Sequence, residues 1–586
     1  YDSEIQTIKE SVYNGVFPLK YKRYKDIRVE YLSEHEQVSY NQPYSPNEDQ
    51  RTAIETIIED IKTDKRLNYL LFGVTGSGKT IVYLEIAYRM LREGKSVLIL
   101  VPEISLTPIM ERRFIDAFGS TVAVLHSRLT PAERFRRWNA IRNGQCKVAV
   151  GPRSAVFLPL RDLGLIVIDE EQDTSYKQES PAPRYNARDV AIVRGMMESV
   201  PVLMGSATPM LESFYNTRRG KYKLLELPKR HEGSRLPDIH VVDMVREPSV
   251  GSSLSATLVS RMNETLAAGK QTLILLNRRG YARYVRCADC GKMWRCPDCD
   301  INYTFHTQTK RLICHYCGKS EKPPEICPQC EGKSISMFGA GTQRLENTLA
   351  ELFPESEIAR MDIDSIIGDN KLEEIIDGML EGRINILMGT QMVGKGFDFP
   401  DIQLTGIIST DLGLSFPDFR GRESTFRLLM QAAGRAGRRE IPGEVIIQSF
   451  TPDDYAIYYA SQQDYESFYE EEITNRRRLV YPPFSRIILC TISASKPEKA
   501  RKSAALLKTK LENLSKHYQG RFLYILGEAP APMFKIRKLY RYQLMIKVDS
   551  VLKFNEVLRR FYPDAPMGII PRGVRLAINI DPQDML

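Results

Sequence analysis

Long hydrophobic runs are missing from this 586-residue sequence: none approaches the ~18–20 apolar residues that cross a bilayer, and the longest, such as 96–102, have strand length. A helical membrane span is therefore excluded. No basic start leads into an apolar core, so no signal peptide is read at Tyr1 and a non-secreted protein is expected. No self-similar period of about 20–50 residues is present, which excludes a solenoid or propeller. Outside one short stretch cysteine is nearly absent, with Cys146 and Cys490 alone beyond 287–330, so the chain has no disulfide framework of the secreted kind. Charge of one sign does not dominate either. Lys and Arg number 82 against 73 Asp and Glu, and the net charge of +9 suits a phosphate-rich partner without singling one out.

What is present is a rhythm. The length exceeds what one core supports, and about three to five domains are expected. Residues 1–44 are polar and aperiodic, and read as a linker or the remnant of a missing N-terminal region. From residue 68, short apolar runs at 69–72, 97–101, 147–150, 165–168 and 202–204 alternate with helix-length stretches such as 81–93 and 131–143. Buried strands alternating with amphipathic helices predict a parallel sheet covered on both faces. The rhythm restarts at 272–276, is interrupted by cysteines, and resumes at 335–338, 384–388, 405–408 and 445–448. The predicted order is α/β: a first lobe at 45–225, a second lobe at 226–286 and 331–465 with an insertion at 287–330, and a last domain at 466–586. That last stretch reads β-α-β-β-α-β, a ferredoxin-like α+β arrangement.

Gly73-Val-Thr-Gly76-Ser-Gly78-Lys79-Thr80 follows an apolar strand and precedes a helix, the setting of a phosphate-cradling loop. Backbone N–H groups freed by the glycines close around phosphate, Lys79 neutralises charge and the Thr80 hydroxyl helps hold Mg²⁺ with ATP. Asp169 and Glu170 end the run 165–168, which places two carboxylates at a strand tip: Asp169 to hold Mg²⁺ through water, Glu170 to orient and deprotonate the attacking water. A solvated acidic turn is the plainer alternative. Gln431-Ala-Ala-Gly434-Arg435-Ala-Gly437-Arg438 sets two guanidinium groups on a glycine-rich turn, where they can meet a γ-phosphate as charge develops.

The eight clustered cysteines form four CxxC pairs: Cys287/Cys290, Cys296/Cys299, Cys314/Cys317 and Cys327/Cys330. Two closed tetrahedral Zn²⁺ sites account for every thiolate, and iron–sulfur clusters are the minority alternative. The inner pairs, Cys296/Cys299 with Cys314/Cys317, have zinc-ribbon separation, which leaves Cys287/Cys290 to close with Cys327/Cys330. Saturated ligation makes both ions structural.

These motifs together resemble superfamily 2 helicases, and within them the PriA group of bacterial replication-restart helicases. The further text that carries the resemblance is Val101-Pro-Glu-Ile-Ser-Leu-Thr107, Gly151-Pro-Arg-Ser-Ala155, Asp169-Glu-Glu171, Ser206-Ala-Thr208, Leu276-Asn-Arg-Arg-Gly-Tyr281, Gly389-Thr-Gln-Met392, Lys395-Gly396 and Pro417-Asp-Phe-Arg420. The resemblance implies two RecA-like lobes with nucleotide between them, Gln50 reading adenine, and Gln431 beside the nucleotide. It implies single-stranded DNA crossing Arg153 and Ser154, then Arg278, Arg279, Thr390 and Lys395, with Tyr176, Lys177, Arg184 and Tyr185 on an aromatic-rich loop. Two departures stand out: Gln172 and Asn186 occupy places where the family keeps histidine. Lys535, Arg537, Lys538 and Arg541, near Tyr540 and Tyr542, form a basic-aromatic patch that is either a DNA contact or a solvated hairpin.

The implied function is a 3′-to-5′ DNA helicase, monomeric and nucleoid-associated, that recognises stalled or abandoned forks and promotes primosome assembly. Its implied partners are forked and single-stranded DNA, single-strand-binding protein, and primosome and helicase-loading proteins. An RNA helicase, or a fork-binding ATPase switch that loads partners, are the alternatives.

Overall fold

Near-continuous burial on both faces makes the central runs of the first unit, residues 1–233, into parallel strands. In the computed structural model these are β1 (Asn68–Gly73), β2 (Ser96–Leu100), β3 (Val122–Val124), β4 (Val148–Gly151), β5 (Leu163–Ile168), β6 (Val202–Ser206) and β7 (Tyr222–Leu227). The structure describes residues 45–63, 65, 68–102, 108–230, 236–250, 253–276, 284–306, 310–338, 342–361, 369–390, 399–408, 410–437, 443–562, 569–583 and 585. The 1–44 segment thus lies outside the described residues.

The strand order is β3-β4-β2-β5-β6-β1-β7, every neighbouring pair parallel. Chain order reverses around β1, so the C-terminal tips of β1, β5 and β6 open on one crevice, where such sheets hold ligands. The helices Glu48–Lys62 and Lys79–Arg92 cover one face with Ile54, Ile57, Tyr83, Ile86 and Met90. Each fully buried Val, Leu or Ile there contributes roughly 1.5–3 kcal/mol. The predicted lobe boundary after 225 is corrected, because β7 pairs with β1 as far as Gly73↔Leu227. Its mixed sequence, YKLLEL, is that of a half-exposed edge strand and carries a weak signal.

In the second unit, residues 234–586, six parallel strands run in the order Ile358–Met361, Ile386–Gly389, Gln271–Leu276, Ile402–Ile408, Glu444–Ser449, Asp238–Asp243. The cysteine module leaves and returns through an antiparallel pair, Tyr284–Cys287 with Ile335–Phe338. The predicted boundary at 465/466 is also corrected. The helix Tyr465–Arg478 belongs with this sheet's helices, since Phe468 stacks on Phe426 with ring centroids 4.2 Å apart.

Beyond it lies a four-stranded antiparallel sheet in the order Leu523–Ile536, Leu539–Val548, Arg486–Ala494, Arg575–Ile580, with the helices Pro497–Ser515 and Val551–Phe561. This is the expected ferredoxin-like order. Its second strand runs on through Gly527, Pro530 and Pro532, residues that usually end a strand. On an edge strand a proline's missing N–H costs no ladder bond, and the register absorbs the irregularity between Leu526 and Ala529 and between Pro530 and Lys535. The hairpin turns at Arg537 and Lys538, both with positive φ (48° and 66°), with Lys535 over the Tyr540 ring at 4.8 Å.

Candidate nucleotide site and zinc centres

The phosphate loop leaves β1 at Gly73 and enters the helix Lys79–Arg92 through Gly76 (φ 83°) and Gly78 (φ 76°), conformations that favour glycine. Lys79 Nζ donates to the Gly73 carbonyl at 2.9 Å, which holds the amine over the loop. Gln50 is fully buried, its Oε1 accepts from Asn47 N (2.8 Å) in a capping box, and its Nε2 donates to Ser77 O (2.8 Å). Both hydrogen bonds tie the amide to the protein's own backbone, so Gln50 braces the loop from behind. A Cβ on Gly78 would lie 2.4 Å from that Nε2, a second reason for glycine there.

Asp169 and Glu170 cap β5 as predicted. Asp169 is held by two tyrosines, neither of which the sequence reading assigned to it. Tyr83 Oη donates to Asp169 Oδ1 (3.1 Å), and Tyr176 Oη donates to the Asp169 carbonyl (2.6 Å). Tyr83 stands one turn after Lys79 on the same helix face, the spacing that would have found it. Room for its hydroxyl exists because residue 205 on β6 is glycine: a Cβ there would sit 1.6 Å from it. Burial first, then the neighbouring charge of Glu170, pushes Asp169 up to about 6, while Lys79 opposes the shift. Glu170 has φ 48°, a left-handed conformation rare outside glycine that costs of order 1 kcal/mol and concentrates at functional sites. Its Oε2 accepts from Gln172 Nε2. Glu171, by contrast, is structural: buried, it accepts from Met210 N (2.7 Å) and Ser213 Oγ (2.8 Å) and pairs with Arg188 (3.1 Å).

Gln172 connects the acid pair to β6. Ser206 Oγ donates to Gln172 Oε1 (2.6 Å), and Thr208 N donates to Ser206 Oγ (2.9 Å). A glutamine amide can pass this relay because one end accepts while the other donates. The Gln172→Ala variant is expected to lower DNA-stimulated kcat about 10-fold with nucleotide affinity unchanged, since an oriented hydrogen bond to a charged group is lost. Steady-state turnover beside fluorescent-nucleotide binding checks this, and an unchanged kcat would count against the relay. Asn186, at the other departure from the family, caps the helix Ala187–Glu198 by accepting from Arg188 N at 3.0 Å.

The cysteines gather into two groups of four, Cys287/Cys290/Cys327/Cys330 and Cys296/Cys299/Cys314/Cys317, all ligand atoms of a group within 4.8 Å of one another. Sulfur separations are 3.6 Å (Cys287–Cys330), 3.7 Å (Cys290–Cys327) and 3.7 Å (Cys296–Cys317). A tetrahedral Zn²⁺ with ligand bonds near 2.3 Å needs sulfurs about 3.8 Å apart, whereas a disulfide needs about 2.0 Å. The thiols fit two structural zinc ions in the nested pairing.

Family models match this chain in four places. A DEAD/DEAH box helicase model covers residues 47–216 and a helicase conserved C-terminal domain covers 319–440. The PriA DNA helicase Cys-rich region (CRR) domain covers 296–322, and the primosomal protein N C-terminal domain covers 477–583. Replication restart protein PriA of Bacillus subtilis (strain 168) is 41% identical over 588 residues, spanning 100% of this chain and 72% of its own length. The chain belongs to the PriA family of replication restart proteins. It is a DNA helicase with ATPase activity. The Chlamydia pneumoniae PriA is 39% identical over 549 residues, 92% of this chain and 72% of its own. RecG bound to a three-way DNA junction is a looser structural match, with a TM-score of 0.45 at 18% identity over 74% of this chain and 47% of that one.

Of the PriA-family track residues, Ser154 is exposed on the short turn Arg153–Phe157. Arg153 Nη1 donates to the carbonyls of Ser175 (3.2 Å) and Lys177 (3.4 Å), and Tyr185 packs edge-on against Phe157 at 5.1 Å. Arg184 Nε donates to Glu179 O (2.9 Å). The aromatic-rich loop therefore lies against the same turn as Arg153 and Ser154. Tyr176 and Lys177 do not join that surface: they are 1% and 5% exposed, so the expected DNA contact is corrected for both, and Tyr176 serves the strand tip instead. Thr390 is half-buried after the strand Ile386–Gly389, while Arg278, Arg279, Lys395 and Arg438 lie outside the described residues. Gln431 and Arg435 bracket the end of the helix Gly421–Ala433, both half-buried.

Proposed function

We propose that this chain is a 3′-to-5′ DNA helicase that recognises stalled or abandoned replication forks and promotes primosome assembly. The observation that carries the reading is the braced acid pair of the first unit. Asp169, held by Tyr83 and Tyr176, and Glu170, held by Gln172, stand on a sheet edge shared with the Lys79 loop. Lys79 and the amides of the loop bind the phosphates of ATP. Thr80 and Asp169 would hold Mg²⁺, whose chemistry is to neutralise charge on the transferring phosphoryl group. Glu170 orients the attacking water and takes its proton; Gln431, Arg435 and Arg438 of the second unit stabilise the charge that develops on the γ-phosphate.

Single-stranded DNA runs over Arg153, Ser154, Arg184 and Tyr185, and over Arg278, Arg279, Thr390 and Lys395, by phosphate contacts that tolerate any sequence. The protein acts as a monomer in a bacterial cytoplasm, at the nucleoid, with single-strand-binding protein and primosome and helicase-loading proteins as partners. Among the described residues no helix is long and apolar enough to cross a membrane.

ATP turnover is expected to rise at least about 10-fold with single-stranded DNA, the rise shrinking as salt increases. Fork substrates with the single-stranded arm on one strand or the other read the polarity. Stimulation by RNA over DNA would replace this reading with the RNA helicase. Fork binding and partner loading by a Glu170→Gln variant that no longer turns over ATP would favour the loading switch.

A further inference from the structure

The helix Gly421–Ala433 ends where the arginine segment begins: Gln431 lies in its last turn, Gly434 caps it, and Arg435 follows. Its other end is gripped by charge inside the protein. Glu423 is buried and accepts from Arg476 Nη2 at 2.5 Å. Arg476, on the helix Tyr465–Arg478, is buried too; its Nε donates to Glu472 Oε1 (3.0 Å) and its Nη1 to the Pro482 carbonyl (3.3 Å). Glu472 accepts in turn from the Tyr455 hydroxyl at 2.5 Å.

Beside Glu423, Arg422 donates to Asp454 (3.1 Å) and to Asp300 of the zinc module (3.4 Å), with its guanidinium over the Tyr455 ring at 4.8 Å. Arg420, at the helix N-cap, donates to the carbonyl of Pro582 at 3.1 Å. One helix end thus joins the zinc module, the two helices that follow it in the chain (Tyr455–Ser461 and Tyr465–Arg478) and the C-terminal domain.

Buried ion pairs are a poor means of gaining stability, because desolvation offsets attraction and apolar residues of similar size pack as well. What a planar guanidinium adds is direction: its donors leave at fixed angles and hold a partner in both rotation and height. Slipping a helix by one residue turns it by roughly 100° and shifts it about 1.5 Å. A misplacement of that order at a reacting group costs about 100-fold in rate.

We propose that Glu423 and Arg476 are positioning residues for ATP hydrolysis, the pair setting the register of the helix that delivers Gln431 and Arg435. Through Arg422–Asp300 and Arg420–Pro582, docking of the zinc module and of the C-terminal domain bears on the same helix. The inference rests on the reading above that the arginines serve the γ-phosphate.

The test replaces both charges by apolar residues, Glu423→Leu with Arg476→Met, in the full chain, and beside it the near-isosteric Glu423→Gln, in which Glu472 still pairs Arg476. Turnover with saturating single-stranded DNA, fluorescent-nucleotide affinity, zinc content and melting temperature are measured. The double variant is expected to keep nucleotide affinity within about twofold while kcat falls about 20-fold, and Glu423→Gln to fall in between. Should the double variant lose zinc or melt early, Glu423→Gln decides on kcat alone. A kcat within about twofold of the parent in the folded variants overturns the proposal. Arg435→Ala separates the two readings: if it spares turnover, the arginine assignment is wrong; if it abolishes turnover while the pair variants keep it, only the positioning role fails.

Discussion

Lys79→Ala is expected to lower DNA-stimulated ATP turnover by about three orders of magnitude and to abolish unwinding of forked DNA. The size follows from what the amine does. Lys79 is the cation held over the loop by the Gly73 carbonyl at 2.9 Å, so its charge is in place before the transition state forms and no reorganisation is needed when charge develops. The fold should survive, because the loop is shaped by Gly76, Gly78 and the Gln50 brace and not by the amine. Steady-state hydrolysis with saturating DNA, beside a melting curve, decides the matter. Turnover within about tenfold of the parent in a folded variant would remove Lys79 from the catalytic set.

Removing zinc is expected to undo the second unit from its centre. Structural zinc supplies about 10–16 kcal/mol of apparent binding energy in small zinc peptides, and folding depends on it there. Here the inner site is set in a core shared by three parts. Cys296, Cys299 and Cys314 pack with Tyr303, Tyr316, Phe419, Tyr481, Leu489 and Met545, drawn from the module, the second lobe and the C-terminal domain.

Polar contacts lock the same junction. Gln543 Nε2 donates to His315 O (2.8 Å), His315 Nδ1 meets Pro530 O (2.8 Å), and Tyr481 Oη donates to Cys299 O (3.0 Å). Phe419 stacks on Tyr481 with centroids 4.5 Å apart, and Phe419 N donates to Tyr316 Oη at 3.2 Å. The outer site, with exposed Cys330, lies nearer solvent. Metal analysis should return about two zinc ions per chain. Cys314→Ser should cost one of them, lower the melting temperature by about 10 °C and open the 479–486 connection to protease, while Cys330→Ser costs one ion with a smaller shift. Equal shifts for the two variants, or iron in place of zinc, would overturn this account of the junction.

The chemistry of the site was legible because each part is local. A phosphate loop is eight consecutive residues, an acid pair ends one apolar run, and zinc knuckles repeat a two-residue gap, so the chain itself sets their geometry. Both parallel sheets and the ferredoxin-like order could be read for the same reason, from alternating runs. Tyr83, Gln50, Tyr176 and Lys177 were not legible. The roles of Tyr83 and Gln50 depend on which strands end side by side, and a tyrosine or lysine beside an acidic motif reads as surface until the fold buries it.

From the sequence alone came the reaction, the metals and the order of the domains, because motifs spaced along a backbone carry their own geometry. Tertiary structure decided which side chains hold those motifs in place: Tyr83 on Asp169, Gln172 on Glu170 and Ser206, Arg476 on Glu423, and the zinc knuckles on the C-terminal sheet. Those partners lie as many as 228 residues apart, and only the packing of sheets and helices brings them within hydrogen-bonding reach.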